Sequence, residues 1–492
     1  MPLRLLPATG ALPVWRRAGI RALEARLQAA SPTPLMDLAG LATARLALAV
    51  APHARRIWVA AGPGNNGGDG LEAALHLHRW GLAVQVSLLA DLWQLPADAR
   101  RALERARESG VTIDAGLPTS LSDLGPQDLC IDALLGIGAS RAPQGPLLQA
   151  INLINASPAR VLAIDVPSGL DADSGQRLGA CVQANHTLTM LGAKPGLLMG
   201  HGRDVCGTLW LDTLGLPDEA TAWQTPDAQL NPLAQTTPRR HAGHKGSHGD
   251  VAIVGGESLG PRSGMTGAAL LAAQAALHGG AGRVMLSLLG QDTHTTVPPD
   301  LMRRDLDALE LPRLTVVAGC GGGRAIGPEL GHLLQRSARL VLDADALNRL
   351  AEDPWLQDLL RQRSQRRQPT VLTPHPLEAA RLLGTDTLQV QADRIAAAQT
   401  LSDRMRCCVV LKGSGTVIAS PTQRPRINAT GNGLLAIGGT GDVLAGLLGA
   451  RLAATSDAWQ AATSAVWTHG QIADQWPGGK ALSASRLAEQ LR

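Results

Sequence analysis

The feature that most restricts the fold is a repeated order of a short apolar run, a turn and a segment with helical spacing. Residues 14–53 and 71–80 have helical spacing in the first half of the chain, and residues 265–278 have it in the second. Apolar runs of strand length lie at 57–61, 84–90, 129–133, 161–166, 250–254, 283–289, 314–318, 340–344 and 371–373. Such alternation predicts an α/β protein with mostly parallel sheets that helices cover on both faces.

Length and a local change of composition divide the chain in two. Its 492 residues exceed the usual size of one domain. Residues 216–246 lose the periodicity and are rich in Pro, Thr, Gln, His and Arg. We therefore predict a first domain at 1–225, a linker at 226–236 and a second domain at 237–492. The motifs of the two halves differ, which indicates a fusion and not an internal repeat.

Charge and cysteine usage exclude several classes of partner. The formal net charge is +4 and no Lys/Arg-rich run occurs, so neither nucleic acid nor a membrane surface is an expected partner. No apolar stretch has the length of a signal peptide core or of a membrane span. None of the six cysteines forms a CxxC pair, so we expect reduced thiols and a cytoplasmic location. The chain has ten Trp but neither Phe nor Tyr, which indicates an altered sequence.

Three loops of the first domain predict a ligand site. Residues 62–70 read GPGNNGGDG between a predicted strand and a predicted helix, where glycines and free N–H groups suit a phosphate. Two further loops, DALLGIG at 132–138 and AIDVPSGLD at 163–171, each place a carboxylate at a strand end. In an open α/β sheet such strand ends meet at one edge. A plain turn or a loop-capping Asp is the alternative for each loop taken alone.

The second domain carries GGTGD at 438–442, where a helix is predicted to begin. Free N–H groups and the helix dipole would stabilise phosphoryl charge there, and Asp442 is placed to take a proton from a hydroxyl. A helix-capping role for Asp442 is the alternative. Other motifs of this domain are HKGSHGD at 244–250, GCGGG at 319–323, LDADALN at 342–348, TPHPLE at 373–378 and LKGSGT at 411–416. Taken alone, LKGSGT could equally be a hairpin turn.

The motifs of the first half, with LGAKPGL at 191–197, resemble in order those of the NAD(P)H-hydrate epimerase family. The resemblance implies a Rossmann-like three-layer αβα fold and an isomerase that interconverts the R and S hydrates of NADH and NADPH (NADHX and NADPHX). It implies a potassium ion at Asn66, Asp132 and Ser168, with Asp165 as the acid–base group. The implied substrate contacts are Asn65, Asn66, Gly67, Gly68, Asp69, Gly136, Ile137, Gly138, Ala139, Ser140, Arg141, Ala142 and Asp165. The family usually has a small or hydroxyl residue at the position of Ile137.

The motifs of the second half resemble those of the ADP-dependent NAD(P)H-hydrate dehydratase family. The resemblance implies a ribokinase-like α/β fold and a lyase that uses ADP and Mg²⁺, in which phosphorylation of the hydrate hydroxyl and loss of phosphate regenerate NAD(P)H and release AMP. It implies Asp442 as the base. The implied substrate contacts are Ala268, Gly321, His375 and Asp442, and the implied nucleotide contacts are Lys412, Gly413, Ser414, Gly415, Thr416 and Gly441. Leu377 stands where the family usually has Gly, and Leu434 lies in a stretch that is usually small and flexible.

Together the halves predict a bifunctional, homo-oligomeric repair enzyme for NADHX and NADPHX. Two other functions fit parts of the sequence. GGTGD occurs in ribokinase-like kinases, so a small-molecule kinase is one alternative. A binding or scaffold protein that keeps both folds without catalysis is the other, because larger side chains fill positions such as Leu377.

Overall fold

The computed structural model describes residues 2–121, 123–234, 241–258, 264–290 and 295–491. Contacts divide the chain into two compact units, Met1–Ala8 with Leu12–Gln229 and Thr9–Ala11 with Leu230–Arg492. Part of the predicted linker is a strand, Ala228–Leu230, and its residues 235 and 236 lie outside the described residues. The linker at 226–236 therefore stays a prediction.

The first unit is built on one twisted sheet. Its strands are β1 (Leu3–Arg4), β3 (Arg56–Ala61), β4 (Ala83–Leu88), β5 (Thr112–Ala115), β6 (Leu129–Ala133), β7 (Arg160–Ile164), β8 (His186–Met190) and β9 (Thr208–Asp212). Two further short strands, β2 (Pro13–Val14) and β10 (Ala228–Leu230), are not part of this sheet. The sheet order is β1-β9-β8-β7-β6-β3-β4-β5. Its neighbours are parallel except β1 and β9, and β2 pairs antiparallel with β10.

Helices cover both faces of this sheet. They are α1 (Arg17–Ala30), α2 (Leu35–Val50), α3 (Asn65–Arg79), α4 (Ala97–Glu108), α5 (Gly145–Ala156), α6 (Gly202–Val205) and α7 (Ala220–Trp223). Successive side chains of a strand point to opposite faces. Accordingly, Ile57 and Val59 of β3 join the core formed with α1–α4, whereas Trp58 and Ala60 join the core formed with α5. The unit is therefore the three-layer αβα arrangement that the sequence predicts.

The second unit has a longer parallel sheet that ends in antiparallel strands. Its strands are β11 (Asp250–Ser258), β12 (Arg283–Gly290), β13 (Met302–Arg303), β14 (Thr315–Ala318), β15 (Arg339–Leu342), β16 (Thr370–Leu372), β17 (Cys408–Leu411), β18 (Thr416–Ser420) and β19 (Gln423–Asn428). Their order is β13-β12-β11-β14-β15-β16-β17-β18-β19. The β17–β18 and β18–β19 pairs are antiparallel. The LKGSGT motif therefore does connect a hairpin, between β17 and β18.

The helices of the second unit are α8 (Thr266–His278), α9 (Ile326–Arg336), α10 (Asp345–Glu352), α11 (Pro354–Gln365), α12 (Pro376–Leu383), α13 (Thr387–Ala392), α14 (Arg394–Met405), α15 (Thr440–Thr455), α16 (Ala458–Asp474) and α17 (Ala484–Glu489). Side chains of α8, α15, α16 and α17 share a core with Val251, Ile253 and Val317 of the sheet. α15 is mostly buried between the sheet and α8, and Thr440 in its first turn is buried as well.

Two details concern the helices of the first unit. The sequence predicts a loop at 62–70 and a helix from Leu71, but α3 already begins at Asn65. Its first turn requires glycine, since a side-chain carbon at Gly67 would lie 2.1 Å from the carbonyl oxygen of Gly62. In the described part of the chain no single helix meets the length and hydropathy of a membrane span; α1 and α2 meet them only together, across a bend of 107°.

Gly446 tests the tight packing of α15. A side-chain carbon at Gly446 would lie 2.0 Å from the carbonyl oxygen of Ala272 on α8, so Gly446→Ala must push the two helices apart. We expect the free energy of unfolding of the second unit to fall by about 2 kcal/mol, measured by urea denaturation. Gly478→Ala is the matched control, because a side-chain carbon there meets nothing within 4 Å. Equal stability of the two variants would contradict this account of the packing.

Candidate active sites

A large cavity opens at the carboxyl ends of the strands in the first unit. It has a volume of about 1140 Å³ and is lined by α1, the start of α3 and the loops after β6, β7 and β8. Among the predicted substrate contacts that line it are Asn65, Asn66, Asp69, Asp165 and all of 136–142. Gly67 and Gly68 do not line it; Gly68 packs instead against Met36 of α2. Ile137 is on the wall and narrows the cavity at the loop that follows β6.

A buried carboxylate lies at the end of β6. Asp132 is fully buried and accepts hydrogen bonds from the Oγ (2.6 Å) and backbone N–H (2.8 Å) of Ser168 and from the N–H of Leu134 (3.2 Å). Burial raises the pKa of Asp132 to about 6, although the donors from Ser168 oppose the shift. Asn66 is also buried, and its amide nitrogen has no hydrogen-bond partner among the residues that the structure describes.

Asp165 is held by a completely buried lysine. Lys194 Nζ donates to Asp165 Oδ1, to Thr189 Oγ1 (2.9 Å) and to the carbonyl oxygen of Met190 (2.7 Å). The N–H of Met190 also donates to Asp165 Oδ1, at 3.2 Å. Asp165 itself has a φ of 64°, a left-handed conformation that Asp adopts more readily than most residues. The carboxylate of Asp165 is thereby oriented at the wall of the cavity.

Sequence reasoning missed two contributions to this cavity. It singled out the LGAKPGL motif but gave no role to Lys194, which forms the ion pair with Asp165. It also left out α1, which supplies Arg21 and Glu24 to the cavity wall. Helical spacing predicts α1, but only its position in the fold shows that one of its faces lines the cavity.

In the second unit, Asp442 lies in the first turn of α15. The N-cap is Gly439, with a φ of 92°, so Asp442 is not the capping residue and the capping alternative is wrong. Oxygen atoms of Asp442 and Asp343 and the sulfur of Cys320 all lie within 4.8 Å of one another. Burial, and next the charge of Asp343, raise the pKa of Asp442 to about 6.

Lys412 supplies a positive charge to this site. Its Nζ lies 2.6 Å from Oδ1 of Asp343 and 4.0 Å from Oε2 of Glu378. Thr373 Oγ1 donates to the same Oδ1 of Asp343 at 2.7 Å. A side-chain carbon at Gly441 would lie 3.5 Å from Lys412 Nζ, so the structure brings together these two predicted nucleotide contacts. The ammonium group therefore lies beside the N–H groups that open α15.

The other predicted residues of the second unit surround this centre at different depths. His375 caps α12 and accepts at Nδ1 from the N–H groups of Leu377 and Glu378, so the structural role considered for an isolated histidine is real. Burial, and next the charge of Lys412, lower the pKa of His375.

Ala268 lies close to Gly321: a side-chain carbon added at Gly321 would lie 2.9 Å from the Cβ of Ala268. Gly413 and Ser414 are exposed, and Gly415 and Thr416 are partly buried in the hairpin. Leu377 and Leu434 are exposed as well.

Comparison with known proteins matches each unit to a protein family. The family described as YjeF-related protein N-terminus matches residues 32–196, and the family described as NAD(P)H-hydrate dehydratase matches residues 251–492. The bifunctional NAD(P)H-hydrate repair enzyme Nnr of Escherichia coli strain K12 is 37% identical over 456 residues, covering 89% of this chain and 84% of that protein. The enzyme of the same name from Coxiella burnetii is 36% identical over 477 residues, covering 93% and 94%. The solved ADP/ATP-dependent NAD(P)H-hydrate dehydratase of Bacillus subtilis, co-crystallised with ATP and Mg²⁺, is 29% identical, covers 52% of this chain and 92% of its own, and gives a TM-score of 0.44.

Fold and sites define a fused pair of α/β enzyme domains, a Rossmann-like one followed by a ribokinase-like one. The chain belongs to the family of bifunctional NAD(P)H-hydrate repair enzymes, which combine an epimerase with an ADP-dependent dehydratase. Both predicted family resemblances are thereby confirmed. Similarity that extends through both halves does not favour the small-molecule kinase or the non-catalytic scaffold.

The pair of Lys412 and Asp343 can be tested by its energetics. Removing one partner of a buried ion pair leaves the other charge unpaired, so Lys412→Met should lower the free energy of unfolding of the second unit by about 3 kcal/mol. Adding Asp343→Asn should recover part of this loss, as measured by urea denaturation of a double-mutant cycle. Lys480→Met, at an exposed lysine, is the matched control. Strictly additive losses would contradict the pairing.

Proposed function

We propose that the first unit epimerises the hydrates at the cavity that Asp165 borders. The supporting observation is that the polar groups of three loops converge there although they are distant in sequence. Interconversion of R and S requires reversible loss of the hydroxyl next to the ring nitrogen, and a positioned carboxylate can carry the proton. The loop at 136–142 and the first turn of α3 hold the nucleotide part of the substrate.

Potassium is proposed to bind at Asn66, Asp132 and Ser168. Hard cations prefer oxygen ligands, and these side chains offer amide, carboxylate and hydroxyl oxygens. The hydrogen-bond partners found for the Asp132 carboxylate, within the described ranges, are groups of Leu134 and Ser168 and include no cationic side chain. A cation would offset the cost of burying this carboxylate. When bound, potassium would supply positive charge near the strand ends, where the substrate lies.

The second unit is proposed to dehydrate the S hydrate with ADP. Asp442 takes the proton of the hydrate hydroxyl, because its carboxyl lies at the start of α15 beside the free N–H groups. Lys412 and the 412–416 hairpin contact the phosphates of the nucleotide. Mg²⁺ would neutralise phosphate charge when bound, and Asp343 keeps Lys412 in place. Ala268, Gly321 and His375 are the proposed substrate contacts. A cytoplasmic homo-oligomer remains our prediction for the assembled enzyme.

Separate loss of the two activities is the direct test of this assignment. Asp442→Asn should lower the dehydratase rate by about 10²- to 10⁴-fold, since a positioned base is lost, and leave the epimerase unchanged. Asp165→Asn should do the reverse. The assay follows recovery of absorbance at 340 nm from mixed NADH hydrates with ADP and Mg²⁺.

Because Asp442 must be ionised and its pKa is about 6, the dehydratase rate should fall as the pH drops through about 6. A wild-type chain that restores neither epimer would refute the proposal.

Potassium binding has a readout that does not involve activity. A ligand that binds only the folded state stabilises it, by about 2.7 kcal/mol at a concentration of 100 times Kd. Replacing choline chloride by potassium chloride should therefore raise the melting temperature of the first unit. Asp132→Asn and Ser168→Ala should abolish this increase, whereas Asp442→Asn should retain it. An increase that persists in Asp132→Asn would show that the cation binds elsewhere.

A further inference from the structure

Helix α1 is fixed to two of the loops that line the cavity of the first unit. The backbone N–H of Arg17 donates to Asp173 Oδ1 at 2.7 Å, and its guanidinium group pairs with Asp171 at 3.0 Å. The N–H of Trp15 donates to the carbonyl oxygen of Ala193 at 3.0 Å, next to Lys194. These contacts attach the start of the helix to the loop that follows Ser168 and to the loop after β8, which carries Lys194, the partner of Asp165. The position of α1 relative to Asp165 is thereby set.

One face of α1 lines the cavity. Ile20, Arg21, Glu24 and Gln28 are on the cavity wall, and their spacing of about one helical turn places them on one side of the helix. Leu23, on the adjacent side, is completely buried and anchors α1 in the core. Glu24 is therefore a carboxyl group that a core-anchored helix presents to the same cavity as Asp165.

The charges around Glu24 come from every element that borders it. Arg21 precedes it on α1, Asp98 belongs to α4, and Asp165 and Lys194 belong to the strand-end loops. Burial, and next the charge of Asp165, raise the pKa of Glu24, while Lys194 and Arg21 act in the opposite direction. Asp69 on α3 also lines the cavity, and its pKa is raised by burial first and then by Asp165 and Glu24.

Exchange of configuration at the hydrated carbon involves two proton transfers. The hydroxyl leaves as water when it receives a proton and its C–O bond breaks, and the lone pair of the ring nitrogen forms a C=N bond. A water then adds to the other face, which forms a new C–O bond and releases a proton. A carboxylic acid that donates and a carboxylate that accepts complete one turnover, and solvent returns the proton. The carboxylate of Asp165, paired with Lys194, has the geometry of the acceptor.

We propose that Glu24 is a second catalytic residue of the epimerase, the carboxylic acid that protonates the departing hydroxyl while Asp165 takes the proton of the entering water. The roles exchange when the reaction runs in reverse. This inference rests on the proposed epimerase function of the first unit. It gives a chemical role to a residue of α1, which lies outside all of the glycine-rich motifs of the first unit.

The test measures epimerisation of an enriched R hydrate between pH 5 and 9 in wild type, Glu24→Gln and Glu24→Asp. Wild-type activity should fall on the alkaline side as the donor loses its proton. Glu24→Gln should lower kcat by about 10²-fold or more, leave KM within a few-fold and remove the alkaline decline. Glu24→Asp, which keeps a carboxyl group, should restore part of kcat. Glu104→Gln, on the exposed side of α4, is the matched control and should behave as wild type.

Several outcomes would overturn the inference. A Glu24→Gln enzyme within threefold of wild type, with the same pH profile, would exclude Glu24 as the donor. Loss of the alkaline decline in Asp69→Asn but not in Glu24→Gln would assign the donor to α3. The potassium-dependent rise in melting temperature shows that the first unit of each variant is folded, and dehydratase activity of the same chain measures the amount of enzyme. Absence of epimerisation in the wild type would refute the proposed function as well.

Discussion

Burial of a lysine ammonium group against an aspartate, at the carboxyl edge of a sheet, is the interaction on which each site depends. Lys194 is completely inaccessible and donates three hydrogen bonds, one of them to Asp165. Lys412 of the second unit is partly buried, and its Nζ donates to Asp343 Oδ1 at 2.6 Å. A charge taken out of water is tolerated only with a close partner of opposite charge and good geometry. Each ion pair therefore fixes the relative position of the two backbone segments that carry its partners.

The partner of the lysine differs between the units, and this determines what the remaining carboxyl groups can do. In the first unit the lysine pairs with Asp165, the proposed acid–base group, so this carboxylate is oriented directly. In the second unit it pairs with Asp343, and Asp442 has its pKa raised by burial and by the charge of Asp343. A carboxyl group with a pKa near 6 is well matched to accepting a proton near neutral pH. Lys194 thus orients the proposed acid–base group of the first unit, whereas the Lys412–Asp343 pair lies beside Asp442, the proposed base of the second.

Much of this arrangement could be predicted from the sequence because its signals are local. Strand–loop–helix order predicts both sheets, and the topology of open α/β sheets places the loops that contain Asp132 and Asp165 on one edge. What could not be predicted depends on contacts between distant segments. The pairing of Lys194 with Asp165 spans 29 residues, and the cavity face of α1 follows from its bonds to Asp171 and Asp173. The first turn of α3 also requires glycine at position 67, where a side-chain carbon would lie 2.1 Å from the carbonyl oxygen of Gly62; this contact is local, but the spacing of apolar residues does not indicate it.

Because the chain has no Phe or Tyr, the positions of these sites depend on helices that pack closely together. Without those rings, the cores consist mainly of Leu, Ala, Val and Ile. Small side chains fill space only if the elements approach closely, since gaps forfeit dispersion contacts. Gly40 lets α2 reach Glu72 of α3, and Gly446 lets α15 reach α8. Because Asn66 and Asp442 are in the first turns of α3 and α15, the positions of these site residues depend on glycine contacts further along the same helices.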